Sequence, residues 1–219
     1  MPLLGQAFLA IWNDVTPGWD DEFNLWHTRE HIPERVGVEG FLRGRRGVDW
    51  QGKGQRYFML YEAEDLEVFR GPSYLQRLNN PSPWTQQVMP EFRNFVRGAC
   101  RPLVSGGLGL GGAMATLRFG QVAAGTKLVR LAPDILDLPG ITAVHIGEAE
   151  DAVTNQPTNE RQMREATDDD TFAALVIIEG LGRRELEAQL PTIQAEMAER
   201  AAEEPEVGIY ETAFVLDSD

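Results

Sequence analysis

Residues 23–46 read FNLWHTREHIPERVGVEGFLRGRR, and the rest of the chain is organised around them. The stretch begins as a helix. Trp19, Phe23, Trp26 and Glu30 recur at spacings of four, three and four, so they share one helical face. His27 and His31 lie on the flank of that face, one turn apart. Upstream, Thr16-Pro17 signals a helix start, and Asp20, Asp21 and Glu22 sit where the helix dipole favours negative charge. Pro33 is expected to limit the helix at about His31. Gly37 and Gly40 bracket a turn, and residues 41–50, FLRGRRGVDW, continue as a strand.

Outward from this helix–turn–strand unit the pattern is regular. Residues 4–13 alternate as a strand, with Phe8, Ala10 and Trp12 on one face and Leu9 and Ile11 on the other. QGKGQ is a hairpin turn. Residues 56–62 set Tyr57, Met59 and Tyr61 against Phe58 and Leu60. Residues 65–79 form a broken helix, Ser82-Pro83 starts a short helix over 84–93, and 94–104 is a fourth strand. The order βαββαβ is the ferredoxin-like unit.

After the glycine-rich SGGLGLGG (105–112), a linker or strand crossover without dinucleotide-fingerprint spacing, the order repeats. Strands are expected at 113–119, 140–148, 172–179 and 207–216, helical turns over 122–137 and a helix over 183–201. Residues 149–170 form a polar loop with a helix near Glu160–Ala166 and the acidic run Asp168–Asp170. The predicted fold is therefore α+β: two tandem ferredoxin-like repeats, 1–106 and 107–219, packed sheet to sheet as a pseudo-dimeric barrel.

Composition narrows the function. The 219 residues carry a net charge of −14, which argues against nucleic acid or an anionic membrane as partner. Residues 110–219 hold 21 acidic and 8 basic side chains, whereas the bases of the first half gather near the opening stretch. The chain holds no membrane-length apolar run and no signal peptide is read, so a cytoplasmic protein is expected. The single Cys100 fits a reducing compartment and reads as a structural thiol.

His27-Thr28-Arg29-Glu30-His31 matches H-x-x-E-H, the inverted zinc-peptidase pattern, but no third ligand suggests itself and no metal is expected. The other reading puts His31 at the mouth of a helix–sheet cleft, with a pKa near neutrality and Glu30 or Glu34 to orient it; the alternative is a helix-capping or packing histidine. Arg43, Arg45 and Arg46 lie along one strand, with 45 and 46 facing opposite ways, so one of them can face the cleft. Trp12, Trp26, Tyr57 and Tyr61 are pocket or core aromatics. His145 reads as a satisfied core histidine, with haem ligation or a second acid–base role as alternatives.

Trp26, Glu30, His31, Pro33, Gly40 and Phe41 together resemble the W-x-x-x-E-H-x-P…G-F signature of the EthD-like branch of the dimeric α/β-barrel superfamily. The segments RYFMLYE, SYLQRLNNPSPWT and EFRNFVR resemble it too, and the likeness covers about residues 4–104. The second half lacks E-H-x-P. The resemblance implies a hydrophobic or aromatic small-molecule ligand held between helices and sheet, His31 as the catalytic position, and one site, in the first half. The second half then supplies what a partner subunit supplies in single-repeat relatives. The expectation is a cofactor-independent lyase- or isomerase-type enzyme with His31 and Glu30 catalytic. Trp12, Trp26, His27, Arg45, Arg46, Tyr57 and Tyr61 would contact the substrate. The alternatives are a cofactor-free monooxygenase, a non-catalytic binding protein, or a haem protein. A further homodimer is expected as well.

Overall fold

The computed structural model describes residues 2–52, 54–121, 124–154, 157–164 and 171–219. Eight antiparallel strands close into a barrel in the order β1-β3-β2-β8-β5-β7-β6-β4. The first half contributes β1 (Ala7–Val15), β2 (Phe41–Val48), β3 (Tyr57–Ala63) and β4 (Phe92–Gly107). The second contributes β5 (Ala113–Phe119), β6 (Ile141–Ala149), β7 (Ala174–Gly180) and β8 (Glu206–Asp217). Within each half the spatial order is the same ferredoxin-like one: the last strand beside the first, then the third, then the second. The two sheets do more than face each other. Their edges are hydrogen-bonded through β2–β8 and β4–β6, so the barrel has no free edge. Closure is possible because β4 runs for 16 residues and absorbs Ser105-Gly106-Gly107, which the sequence assigned to a linker.

Strand alternation sorts the core. Phe8, Ala10, Trp12, Phe58 and Leu60 point into the barrel with Met114, Leu175, Ile177 and Tyr210. Leu9, Tyr57, Met59 and Tyr61 point outward, beneath the helices of the first half. Helices of the second half cover Leu117, Val144, Val176 and Ile178 in the same way. An eight-stranded barrel is just narrow enough for side chains to fill. The fit is close: a Cβ on Gly98 would stand 2.4 Å from the Phe172 ring, and one on Gly147 would stand 2.7 Å from Phe8.

The helix of the opening stretch differs from expectation at both ends. It starts at Asp20 rather than at Thr16-Pro17, because Thr16 bonds to Glu91 and Gly18 has φ +91°, which a helix does not accept. It does not stop at His31. Helix α1 (Asp20–Trp26) passes into a π-helical turn (His27–His31) and on through Pro33 as α2 (Ile32–Val36). Proline inside a helix lacks a donor and clashes with the carbonyl four residues back. The wider turn immediately before it opens that spacing, and the Ile32 amide bonds to His27, five residues back.

The further α-helices among the described residues are α3 (Pro72–Asn79), α4 (Pro83–Val88), α5 (Ala124–Leu128), α6 (Ala132–Leu136), α7 (Asp151–Thr154), α8 (Asn159–Met163) and α9 (Arg183–Ala201), with short 3-10 turns at Leu66–Arg70, Met89–Glu91 and Val129–Leu131. The predicted Ser82 cap is present, its hydroxyl accepting from Thr85 N at 3.0 Å. Asp168–Asp170 and part of the predicted Glu160–Ala166 helix lie outside the described residues. Among the described residues no helix is long and apolar enough to cross a membrane.

Candidate active site

A cavity of about 60 Å³ lies between the α1–α2 helix and the outward face of the first sheet. His27, His31 and Arg35 line one wall; Leu9, Ile11, Met59 and Tyr61 form the floor. Phe69, Tyr74, Phe92 and Phe95 give it an aromatic, apolar lining. The roof comes from the second half: Val153 and Thr154 of α7, Thr158, and Glu160 of α8. Two sets of contacts hold that roof down. The Thr154 hydroxyl accepts from Ala99 N at 3.0 Å, and Asn159 N donates to Asn79 Oδ1 at 3.1 Å.

Two histidines four residues apart in the π-helical turn stack at 5.3 Å between ring centres, with Phe23 stacked on His27 and Trp26 lying 4.3 Å from His31. The network fixes His27. Arg46 can only donate, so His27 Nδ1, 3.4 Å away, accepts; Nε2 then carries the proton and faces Tyr61 Oη at 3.4 Å. Arg46 is further tied to Thr28 Oγ1 at 2.9 Å and to Asn24 O. Burial, then the charges of Arg46 and Arg35, push the His27 pKa well below its ordinary value.

His31 is left open. Its Nδ1 is buried without a hydrogen-bond partner among the described residues. Burial first, then Arg35, His27 and Arg164, hold its pKa well below 6.5, so the near-neutral value expected from sequence is corrected. At pH 7 His31 is a neutral base.

Several expected residues lie elsewhere. Glu30 does not orient His31: it accepts from Ser82 Oγ and, at 3.2 Å, from Thr85 Oγ1, and so ties the helix to α4. Trp26 packs behind His31 and donates to Thr85 Oγ1 at 3.2 Å. Tyr57 is on the correct face but donates to Asp20 at 2.7 Å, outside the cavity. Trp12 and Arg45 are on the other side of the sheet, inside the barrel. There Trp12 donates to Thr116 at 3.3 Å beneath the Arg118 guanidinium. Arg45 is buried between Glu179 at 2.8 Å and Glu62 at 3.2 Å. Of the arginine pair, Arg46 therefore faces the helix, where it backs His27. His27, His31 and Tyr61 come together at the cavity wall.

Arg35, Tyr74, Arg97 and the whole roof were missed in the sequence. Arg35 had a signal: it follows His31 by four residues, one helical turn along the same face. For Thr158 the signal was its place as a helix cap, its hydroxyl accepting from Arg161 N at 3.2 Å.

His145 is fully buried in the barrel, with Ser105 Oγ at 2.8 Å on Nδ1 and Glu179 at 3.0 Å on Nε2, the satisfied core arrangement. Cys100 is buried with its pKa raised by burial, which makes it a poor nucleophile. Among the described residues no three His, Cys, Asp or Glu side chains cluster as metal ligands would.

No family profile matches the sequence, and none of the curated proteins does. Solved structures do match in fold. An anthrone oxidase-like protein aligns over 100% of this chain and 96% of its own, at 10% identity and a TM-score of 0.66. A presumed monooxygenase from Fusobacterium nucleatum aligns over 98% and 96%, at 9% identity and 0.56. A presumed chlorite dismutase aligns over 96% of both chains, at 8% identity and 0.55. At such identities the likeness establishes the fold, a ferredoxin-like α/β barrel completed within one chain.

Proposed function

We propose that the protein is an enzyme acting on a hydrophobic or aromatic small molecule, with His31 as the base that takes a proton from it. On this reading residues 1–106 carry the reacting group and residues 107–219 close the cavity over it. One observation carries the proposal: a neutral imidazole set in the cavity wall with its Nδ1 unpartnered among the described residues. A buried polar atom left unsatisfied costs about 1–3 kcal/mol, and a substrate hydroxyl or acidic C–H group brought against it would remove that cost. A neutral imidazole always keeps one nitrogen lone pair for such a proton.

The chemistry follows from that proton. His31 takes it from a carbon or oxygen of the substrate, the charge spreads into the substrate's own π-system, and the imidazolium returns it to another atom. The outcome is an isomerisation, an elimination or a decarboxylation. The surrounding arginines favour the anion. Tyr61 and the Arg46–His27 pair hold the wall in register, and Trp26 supports the His31 ring.

A second reading has a specific observation behind it, the fold likeness to anthrone oxidase-like and presumed monooxygenase structures. The same deprotonated carbon would then reduce dioxygen, a CH₂ becoming C=O with release of water. Turnover of anthrones, phenols and β-keto acids, with and without dioxygen, tests both readings. His31→Gln and His31→Ala are expected to lose about 10²–10⁴ in rate with the melting temperature nearly unchanged. Oxygen consumption coupled to product separates the second reading from the first. Wild-type rates in both variants would sink the role of His31.

A further inference from the structure

We infer that the substrate of this site carries a carboxylate, or an equally flat anion, that takes the place of Glu160 on Arg35; this rests on the cavity being the substrate site. Arg35 projects from α2 one turn beyond His31 and lines the same wall. It is almost fully buried, and burial alone works against its charge; the carboxylate of Glu160 chiefly, with Tyr74 and Glu34, raises its pKa above the usual arginine value. Its guanidinium holds Glu34 at 3.1 Å on one side and Glu160 directly on the other.

Those two carboxylates are not equivalent. Glu34 is a neighbour on the same helix, at the edge of solvent, and does not line the cavity. Glu160 reaches in from the second half on a helix of five residues, and its side chain is 4% exposed inside the cavity. It is the acidic residue among the cavity's lining, and it stands in as a ligand would: a carboxylate entering from above onto a buried fork of donors. With Glu160 in place the cavity measures about 60 Å³. Ligand sites commonly run to roughly 300–1,000 Å³, so an aromatic guest has room only if the roof residue leaves.

The exchange is chemically even. One carboxylate replaces another on Arg35, and Glu160 moves into water, where an ion is well solvated. A neutral guest has nothing to offer Arg35 in return and would leave a buried cation short of a partner. The position of Arg35 also orients a bound acid relative to His31. An acid group anchored there lies against the same cavity wall as His31, one helical turn along.

The test uses a matched pair of probes, 2-naphthoate and 2-naphthamide, titrated calorimetrically into the whole protein. Glu160→Gln removes the competing charge while keeping the shape. It is expected to tighten both probes, since either one must displace the Glu160 carboxylate to enter, and to leave 2-naphthoate about tenfold tighter than 2-naphthamide, since a close charge pair contributes more than 1.4 kcal/mol. Arg35→Lys, which keeps the charge but loses the flat fork, is expected to weaken 2-naphthoate alone. If the two probes bind Glu160→Gln with equal affinity, or 2-naphthoate binds wild type and Arg35→Lys equally, the carboxylate assignment is overturned while the cavity remains a ligand site. If neither probe binds any form, the assignment fails and the cavity reading fails with it.

Discussion

His31 and His145 are both buried, and their surroundings are opposite. His145 stands inside the barrel with both ring nitrogens engaged, by Ser105 and by Glu179. Glu179 in turn takes Arg45 at 2.8 Å and the Gly111 amide at 2.7 Å. His31 stands outside the barrel wall, with Nδ1 unpartnered among the described residues and cationic arginines around it. A histidine held on both sides inside a low-dielectric core rigidifies and specifies structure. A buried polar atom without a partner is stored potential for a ligand. The difference teaches where to look for chemistry: at the histidine left open against a cavity, not at the one held on both sides.

Mutation can break that comparison, and the largest effect is expected at the incomplete site. His31→Ala should cost about 10²–10⁴ in rate and under about 1 kcal/mol in stability. His145→Ala should leave the rate within a fewfold. If the two swap roles, the contrast collapses. Next in size is Glu179→Ala, which strips Arg45 and His145 of a shared carboxylate. A loss of about 3–5 kcal/mol in chemical denaturation is expected, with ligand binding unchanged; a loss below about 1 kcal/mol would mean that the network does not hold the barrel.

The pH dependence separates the same two places. His27 and His31 have lowered pKa values in the folded state, so the unfolded chain binds more protons as pH falls below about 6.5. Stability from these two is complete above that pH and declines below it. For Glu179, burial opposes ionisation, but the His145 hydrogen bond, Arg45 and the Gly111 amide outweigh it and lower the pKa from 4.5 to about 2. Its contribution is present above pH 4.5 and is lost as pH falls toward about 2. A denaturation series from pH 8 to 3 should therefore show two successive declines, and His31→Gln should shrink only the first. With His31 as the proposed base, rate should stay level well below pH 6.5 before falling. The smallest effect is Tyr61→Phe, which removes one long contact to His27 and is expected to cost about 0.5–1.5 kcal/mol of stability.

Much of this was legible in the sequence, for a physical reason. Strand parity is strict, so the division of Phe8, Ala10 and Trp12 from Leu9 and Ile11 could be read directly, and each half's strand order followed. What parity cannot say is which face meets the helices. That is why Trp12 and Arg45 were grouped with Tyr61 and Arg46 although a sheet separates them. Glu30 was misread because adjacent helical residues do not face each other: it stays on the Trp26 side of the helix, where both meet Thr85, and turns away from His31. The roof was invisible for a different reason: Glu160 lies 125 residues from Arg35, and only barrel closure brings them together.

That closure has a consequence for how such a site can change. In a symmetric pair of identical chains every residue occurs twice, and a substitution in one site is a substitution in both. Here β2–β8 and β4–β6 join two halves that one gene can alter independently. One side can keep a reactive histidine while the other trades its own for a covering loop, an asymmetry that identical subunits cannot encode.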